Sequence, residues 1–326
     1  MSTFSPLKGF TNIHSSTLSN DIQDGLIEYL DWALLDKGNY FNVTLGETSP
    51  NGSDYSKLRL SSNDSYSSGQ VWEGFRKNWV WQSGIVVEDM DSPLVSSDPN
   101  HLGVTGVYVN DVFQPSSGVG TYAHRVDHFN GRVIFDSALP TGTKVQAEFS
   151  YKHINVVYAN NVPWLREIQT STLQPNSNFN EVSKGAWDIP PETRLQLPAI
   201  AVEVVPMRRF KGYQLGGGQF VFSDVIFHCI AEDEYTRNQM VDIISLQNDK
   251  TIHLFNSNTI NSSGDFPLDY NGSPVPSALR YPELLNKYPG GKLRLTNARI
   301  EQMIMAKSDV FGGIVRMTTE GIKANI

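Results

Sequence analysis

The chain is short of the features that usually announce chemistry. It has one cysteine, Cys229, in 326 residues, so no disulfide can close within it. Cys229 lies inside an apolar run and reads as a buried small residue. Charged residues make up only 18%, against roughly 25% in ordinary soluble domains. Ser, Asn, Thr and Gly fill the gap, which suits long loops, hairpins and wet subunit interfaces. Positive charge is the scarcer sign: 26 Lys and Arg face 34 Asp and Glu, for a formal charge of −8. An acidic chain is poorly equipped to grip nucleic acid, which needs basic surface. No apolar run approaches the ~18 residues of a membrane span. Met1–Gly9 has neither the basic start nor the apolar stretch of a secretory signal, so synthesis in the cytoplasm without membrane contact is expected.

Catalytic signatures are missing too. There is no Gly-x-Ser-x-Gly and no His-Glu-x-x-His. Leu215–Gly216–Gly217–Gly218 lacks the Lys-Ser/Thr of a phosphate loop and reads as a hairpin tip. His124 and His128 are four apart, but in a strand that spacing is roughly 13 Å, too far for one metal. His228 sits in an apolar strand as a hydrogen-bonded core or interface residue. The expectation is a protein that is not an enzyme and holds no cofactor and no metal.

What is present is a scaffold. Over Thr17–Asp36, Ile22, Leu26, Leu30 and Leu34 recur every four residues, the stripe of an amphipathic helix. Gly25 inside it is either a weak point or a place of close packing. Asn39–Leu45 reads as a strand, followed by polar loops at Thr48–Gly69 and Asp89–Asn100. Leu102–Tyr158 reads as a compact all-β unit, with turns at Asn110–Asp111 and Asn130–Gly131 and a long strand over Thr143–Val157. A short helix is expected at Pro163–Thr172. Leu197–Val205 and Gln219–Ala231 are strands separated by a charged, Gly-rich loop, Arg208–Gly218. In the second strand Phe220, Phe222, Ile226 and Ile230 share one face, and Val221, Val225, Phe227 and Cys229 the other. A strand apolar on both sides is either central in a layered domain or covered by a neighbouring subunit. A helix follows at Glu232–Gln247, with Glu232, Asp233 and Glu234 suiting its positive end. Asn256–Pro289 reads as a long arm that takes structure only on a partner. Two strands, Lys292–Lys307 and Val310–Ile322, close the chain.

The expected fold is α+β: an antiparallel or mixed sheet flanked by two helices, with an inserted small all-β module. Residues 1–101 supply the first helix, a strand and a linker of the core. Residues 102–160 form the inserted sandwich or barrel. Residues 161–326 complete the core and carry the arm at 256–289.

Two clusters are candidate interfaces. Arg208, Arg209 and Lys211 interleave with Phe210 and Tyr213, a pattern that fits phosphates and bases or the acidic surface of a partner subunit. Trp72, Trp79 and Trp81 fit a core or interface anchor, or a sugar platform with carboxylates such as Glu73 and Glu88.

The order of elements resembles the tail-terminator and tail-completion (neck) proteins of tailed bacteriophages. The residues that carry the resemblance are Leu197–Val205, Gln219–Glu234, the helix Tyr235–Gln247, the closing strands Arg299–Lys307 and Gly312–Gly321, and Asp21–Leu35 as first helix. Val104–Tyr158 looks like the small β modules of phage virion proteins. The resemblance implies a ring, a hexamer, that caps the tail tube, joins it to the head connector and can abut a sheath. It also implies localisation in the virion, with DNA passing through the channel without specific binding. The β insertion and the long arm depart from the family's shorter form. The alternatives are a baseplate, fibre-attachment or other peripheral virion protein, and a carbohydrate-binding protein or glycosidase.

Overall fold

A computed structural model describes residues 18–48, 54–61, 65–159, 196–212, 219–265, 267–269, 272–307 and 310–323. Pro163–Thr172, expected as a helix, and Tyr213 lie outside the described residues. The chain runs α1 (Leu18–Leu35), β1 (Tyr40–Val43), β2 (Arg59–Leu60), β3 (Val71–Glu73), β4 (Gly106–Val109) and β5 (Val112–Pro115). It continues β6 (His124–Asp127), β7 (Arg132–Phe135), β8 (Val145–Ala147), β9 (Phe149–Lys152) and β10 (Asn155–Tyr158). The last part is β11 (Ala199–Gly212), β12 (Gln219–Ala231), α2 (Glu234–Ser245), β13 (Thr251–Phe255), α3 (Ser257–Ser263), α4 (Tyr281–Lys287), β14 (Pro289–Lys307) and β15 (Val310–Lys323). The fold is mixed α/β and mostly strand. Among the described residues no helix is long and apolar enough to cross a membrane.

Two compact units emerge. The first comprises the described residues of 1–31, 155–264 and 281–326; the second comprises 32–154 and 265–280.

The first unit is a six-strand sheet in the order β10-β11-β12-β15-β14-β13, antiparallel except where β10 joins β11 in parallel. Ile22, Leu26 and Leu30 of α1 are buried, as the four-residue stripe requires. Gln23 Nε2 donates to the Val202 carbonyl at 2.7 Å, and the Tyr158 hydroxyl donates to Asp24 Oδ1 at 2.9 Å. Those partners sit in β11 and β10, at one side of the sheet. Gly25, between them, faces Leu254 of β13 on the opposite edge, and a methyl at Gly25 would collide with Leu254 Cδ2. Three adjacent helix residues can reach both edges of a six-strand sheet only if the sheet curls around the helix. Gly25 is therefore a place of close packing. The second helix begins where Asp233 accepts the Thr236 amide at 2.7 Å. It buries Met240, Val241 and Ile244 and packs along β12 and β15.

The second unit holds three small sheets, ordered β2-β3-β7-β6, β5-β4-β8 and β1-β9. Its core gathers Val107, Val133, Phe135, Val145, Ala147 and Phe149. The Asn110–Asp111 turn has both residues at positive φ, 48° and 67°, as a two-residue type I′ hairpin needs. At the other hairpin Asp127 accepts the Asn130 amide at 3.0 Å, Asn130 Nδ2 at 2.8 Å and Arg132 Nε at 2.9 Å.

This unit is larger than the module expected at 102–160. It starts at residue 32, because β3 pairs with β7 and Trp79 stacks on Phe149, so residues 71–81 belong to the same core. The single strand expected over 143–157 is three. It changes partner at Glu148, from β4 to β1, and ends where Asn39 bonds both the amide and the carbonyl of Ile154. The arm at 256–289 is not a structureless segment awaiting a partner. It contains α3 and α4, and between them a strap. There the His128 amide donates to Gly272 O at 2.9 Å and Ser273 Oγ donates to Val126 O at 2.7 Å.

Candidate assembly surface

Four long strands, β11, β12, β15 and β14, lie side by side, and their pleat sorts side chains onto two faces. One face carries Ile200 and Val202, then Val225, Phe227 and Cys229, then Val315 and Met317, all buried. Burial pushes the Cys229 thiol up to about 12, which makes it an inert packing group. The other face is half-covered and polar. His228 Nε2 meets Glu203 Oε2 at 2.8 Å. Arg316 lies 2.8 Å from Glu301 and 3.7 Å from Asp224, and Thr318 Oγ1 donates to Asp224 at 3.2 Å. Phe220 and Phe222 lie half-buried on this face with ring centroids 6.4 Å apart, and the Arg209 guanidinium stands 6.0 Å over Phe222.

The basic cluster is not in a loop. Arg208–Gly212 continues β11 and pairs with Gln219–Ser223, after a bulge between Val204 and Arg208. The bulge contains Pro206 and Met207, the latter 82% exposed. Past it, Arg209, Phe210 and Lys211 are exposed and Arg208 is half-buried. Among the described residues no strand pairs with β11 on its outer side beyond Val202. A bulge, a proline and a run of cations are the standard devices that keep such an edge from recruiting another strand. Contacts made here therefore run through side chains. The register places Arg294 of β14 across from Glu320, Glu320 across from Phe222, and Phe222 across from Arg209. Lys250, Lys292 and Arg294 are exposed at this same end, with Asp249 bonded to Arg294 at 3.0 Å.

The tryptophans go elsewhere. Trp72, Trp79 and Trp81 are buried, at 7%, 1% and 5% exposure, so they form no surface for a sugar or a partner. Trp72 Nε1 donates to Gly69 O at 3.0 Å and Trp79 Nε1 to Arg76 O at 2.8 Å, which satisfies both indoles inside. Glu73 accepts from Ser61 Oγ at 2.6 Å, and Glu88 is exposed on a separate turn. Composition does not reveal a different aromatic row on the same unit. Tyr55 stacks on Phe75 at 4.8 Å, Phe75 meets Tyr151 at 5.5 Å, Tyr151 meets Phe41 at 5.6 Å, and Phe41 meets His153 at 5.2 Å. Arg76 stands 5.8 Å over Tyr151. The signal lay in the pairing of β1 with β9, which sets Phe41 opposite Tyr151.

Among the described residues no group of three His, Cys, Asp or Glu side chains converges as a metal site would. No family model matches the chain, and no curated protein matches its sequence.

Proposed function

We propose that this chain is a structural subunit of a tailed-phage virion, a tail-terminator or neck protein that assembles into a ring, six copies being the number the resemblance implies. The ring caps the tail tube, joins it to the head connector and lets DNA pass. The observation that carries the reading is the long four-strand ladder, which presents an exposed, basic and aromatic end and a half-covered polar face. Helices α1 and α2 on this sheet follow the order that the resemblance leads one to expect. A blunted edge with exposed Met207 and Phe210 suits a subunit that meets its neighbours through side chains. Light-scattering mass and negative-stain images of the purified chain test it. Closed rings with an open centre support it; a compact monomer at every concentration counts against it.

A second reading, a baseplate, fibre-attachment or other peripheral virion protein that touches sugar, draws on one observation. The row Tyr55, Phe75, Tyr151, Phe41, with Arg76 beside it, offers partly exposed rings on which a sugar can stack. A glycan array with the wild type and with Phe41→Ala distinguishes it: retention that disappears in the variant favours this reading, and no retention removes it.

A further inference from the structure

The long sheet carries opposite charge at its two ends. β12 begins beside Arg209 and Lys211 and finishes at Ala231, where the chain turns out through Glu232, Asp233 and Glu234, all exposed. Phe220, paired with Lys211, is twelve residues before Glu232, roughly 40 Å along an extended strand at about 3.3 Å per residue. At that distance, several Debye lengths in physiological salt, the two ends do not neutralise each other within one copy. Each end also presents exposed apolar surface. Met207 and Phe210 stand at the basic end, at 82% and 57% exposure, and Tyr235 at the acidic end, at 78%. At the basic end Arg294 is compensated by Asp249, whereas among the described residues Lys211 makes no ion pair and the Arg209 guanidinium rests on an aromatic ring. At the acidic end Asp233 caps α2 and Glu234 pairs with Arg237 at 2.8 Å, which leaves net negative charge with Glu232.

From this complementarity we infer that the basic end of the β11–β12 ladder docks on the acidic end of the same sheet in a second copy of this chain. The contact is head-to-tail. Such a contact uses two different surfaces on each subunit, so it closes into a ring if the rotation permits and extends as a filament if not. Blunting of the β11 edge makes this a side-chain contact, in which charge supplies orientation and Phe210, Met207 and Tyr235 supply buried area. The inference rests on the self-assembly reading above and names the surfaces that reading needs.

The test uses the full chain and two charge variants. Arg209→Glu with Lys211→Glu turns the two exposed cations of the β11 segment into anions. Glu232→Lys with Glu234→Gln makes the acidic end basic while keeping the Asp233 cap and an acceptor for Arg237. Wild-type oligomers should dissociate as salt rises from about 0.05 M to about 0.5 M, where the Debye length falls several-fold. Each variant alone should run as a monomer at concentrations where wild type assembles. A 1:1 mixture of the two should assemble again, because each variant's altered end then meets its complement. The mixture guards against variants that merely fail to fold. Oligomers that persist in both variants overturn the inference and leave the ring reading standing. So does a mixture of folded variants that stays monomeric. Wild type that is monomeric throughout overturns both.

Discussion

His128 makes the stability of the second unit depend on acid in a way that can be worked out. Its ring is fully buried, and Nε2 accepts the Val104 amide at 3.0 Å, so the imidazole is neutral with its proton on the other nitrogen. Protonating Nε2 would break that bond and place a charge in the core. Burial, reinforced by the nearby Lys152 charge, lowers its pKa from 6.5 to about 3. The folded value lies below the unfolded one, so as pH falls the unfolded chain takes up the proton first. Stability from this group is complete above about pH 6.5 and drains by roughly 1.4 kcal/mol per unit until about pH 3. Two units below 6.5, at about pH 4.5, the loss is roughly 2.7 kcal/mol. Carboxylates titrate over the same range, so the measurement is a difference. Urea unfolding of wild type and His128→Gln is compared at about pH 7.5 and about pH 4.5. The variant is destabilised at the higher pH, and that penalty should shrink by roughly 2–3 kcal/mol at the lower one. An identical penalty at both pH values would refute a buried neutral histidine here.

Other perturbations follow from single contacts. Gly103 has φ of 85° and its missing methyl leaves room for the His128 ring, so Gly103→Ala should cost about 3 kcal/mol or more, read as a lowered midpoint in thermal melts. Asp127→Ala strips Arg132 and Asn130 of their partner inside a hairpin, with an expected loss of about 3–5 kcal/mol; Asp127→Asn should recover part of it. Leu26→Ala empties a fully buried site under the curled sheet and should cost about 2–5 kcal/mol in denaturant unfolding. Asp111→Gly relieves a positive φ at the cost of an exposed ion pair with Lys144, and a gain of about 0.5 kcal/mol is expected from the same assay.

Much of the framework was legible because it rests on local chemistry. The α1 stripe, the cap at Asp233, the Gln219–Ala231 strand and the two hairpin turns each follow from residues within a few positions of one another. The extent of the second unit was not. Trp79 and Phe149 are seventy positions apart, and their ring centroids meet at 4.2 Å only after β3 has paired with β7 and β9 with β1. Tryptophan spacing alone could not distinguish a sugar platform from a core, since both favour large flat rings. The loop expected at Arg208–Gly218 failed over Arg208–Gly212 for a related reason; 213–218 lie outside the described residues. Cations and glycines mark loops on average, but here Arg208–Gly212 sits on an outer strand, where charge blocks further pairing.

The same limit bears on the two faces of β12, and there the neighbouring strands decide. Alternation correctly sorted Phe220, Phe222, Ile226 and Ile230 from Val221, Val225, Phe227 and Cys229, because parity is a property of one strand. Cover is a property of the sheet. The second set is buried because Val202, Val315 and Met317 fall beside it in register. Beside the first set the register places Glu203, Arg316 and Arg209, and Arg316 brings Glu301 with it from the next strand. A face that carries ion pairs and stays half-open differs from an apolar face awaiting a subunit: at its centre Glu203 meets His228 and Arg316 meets Glu301 and Asp224, so covering these groups with an apolar neighbour would desolvate them without return. The central part of that face is therefore a poor place for a dry interface. This shifts the demand for a partner to the ends of the ladder, where Lys211 and Glu232 are exposed and lie too far apart to satisfy each other.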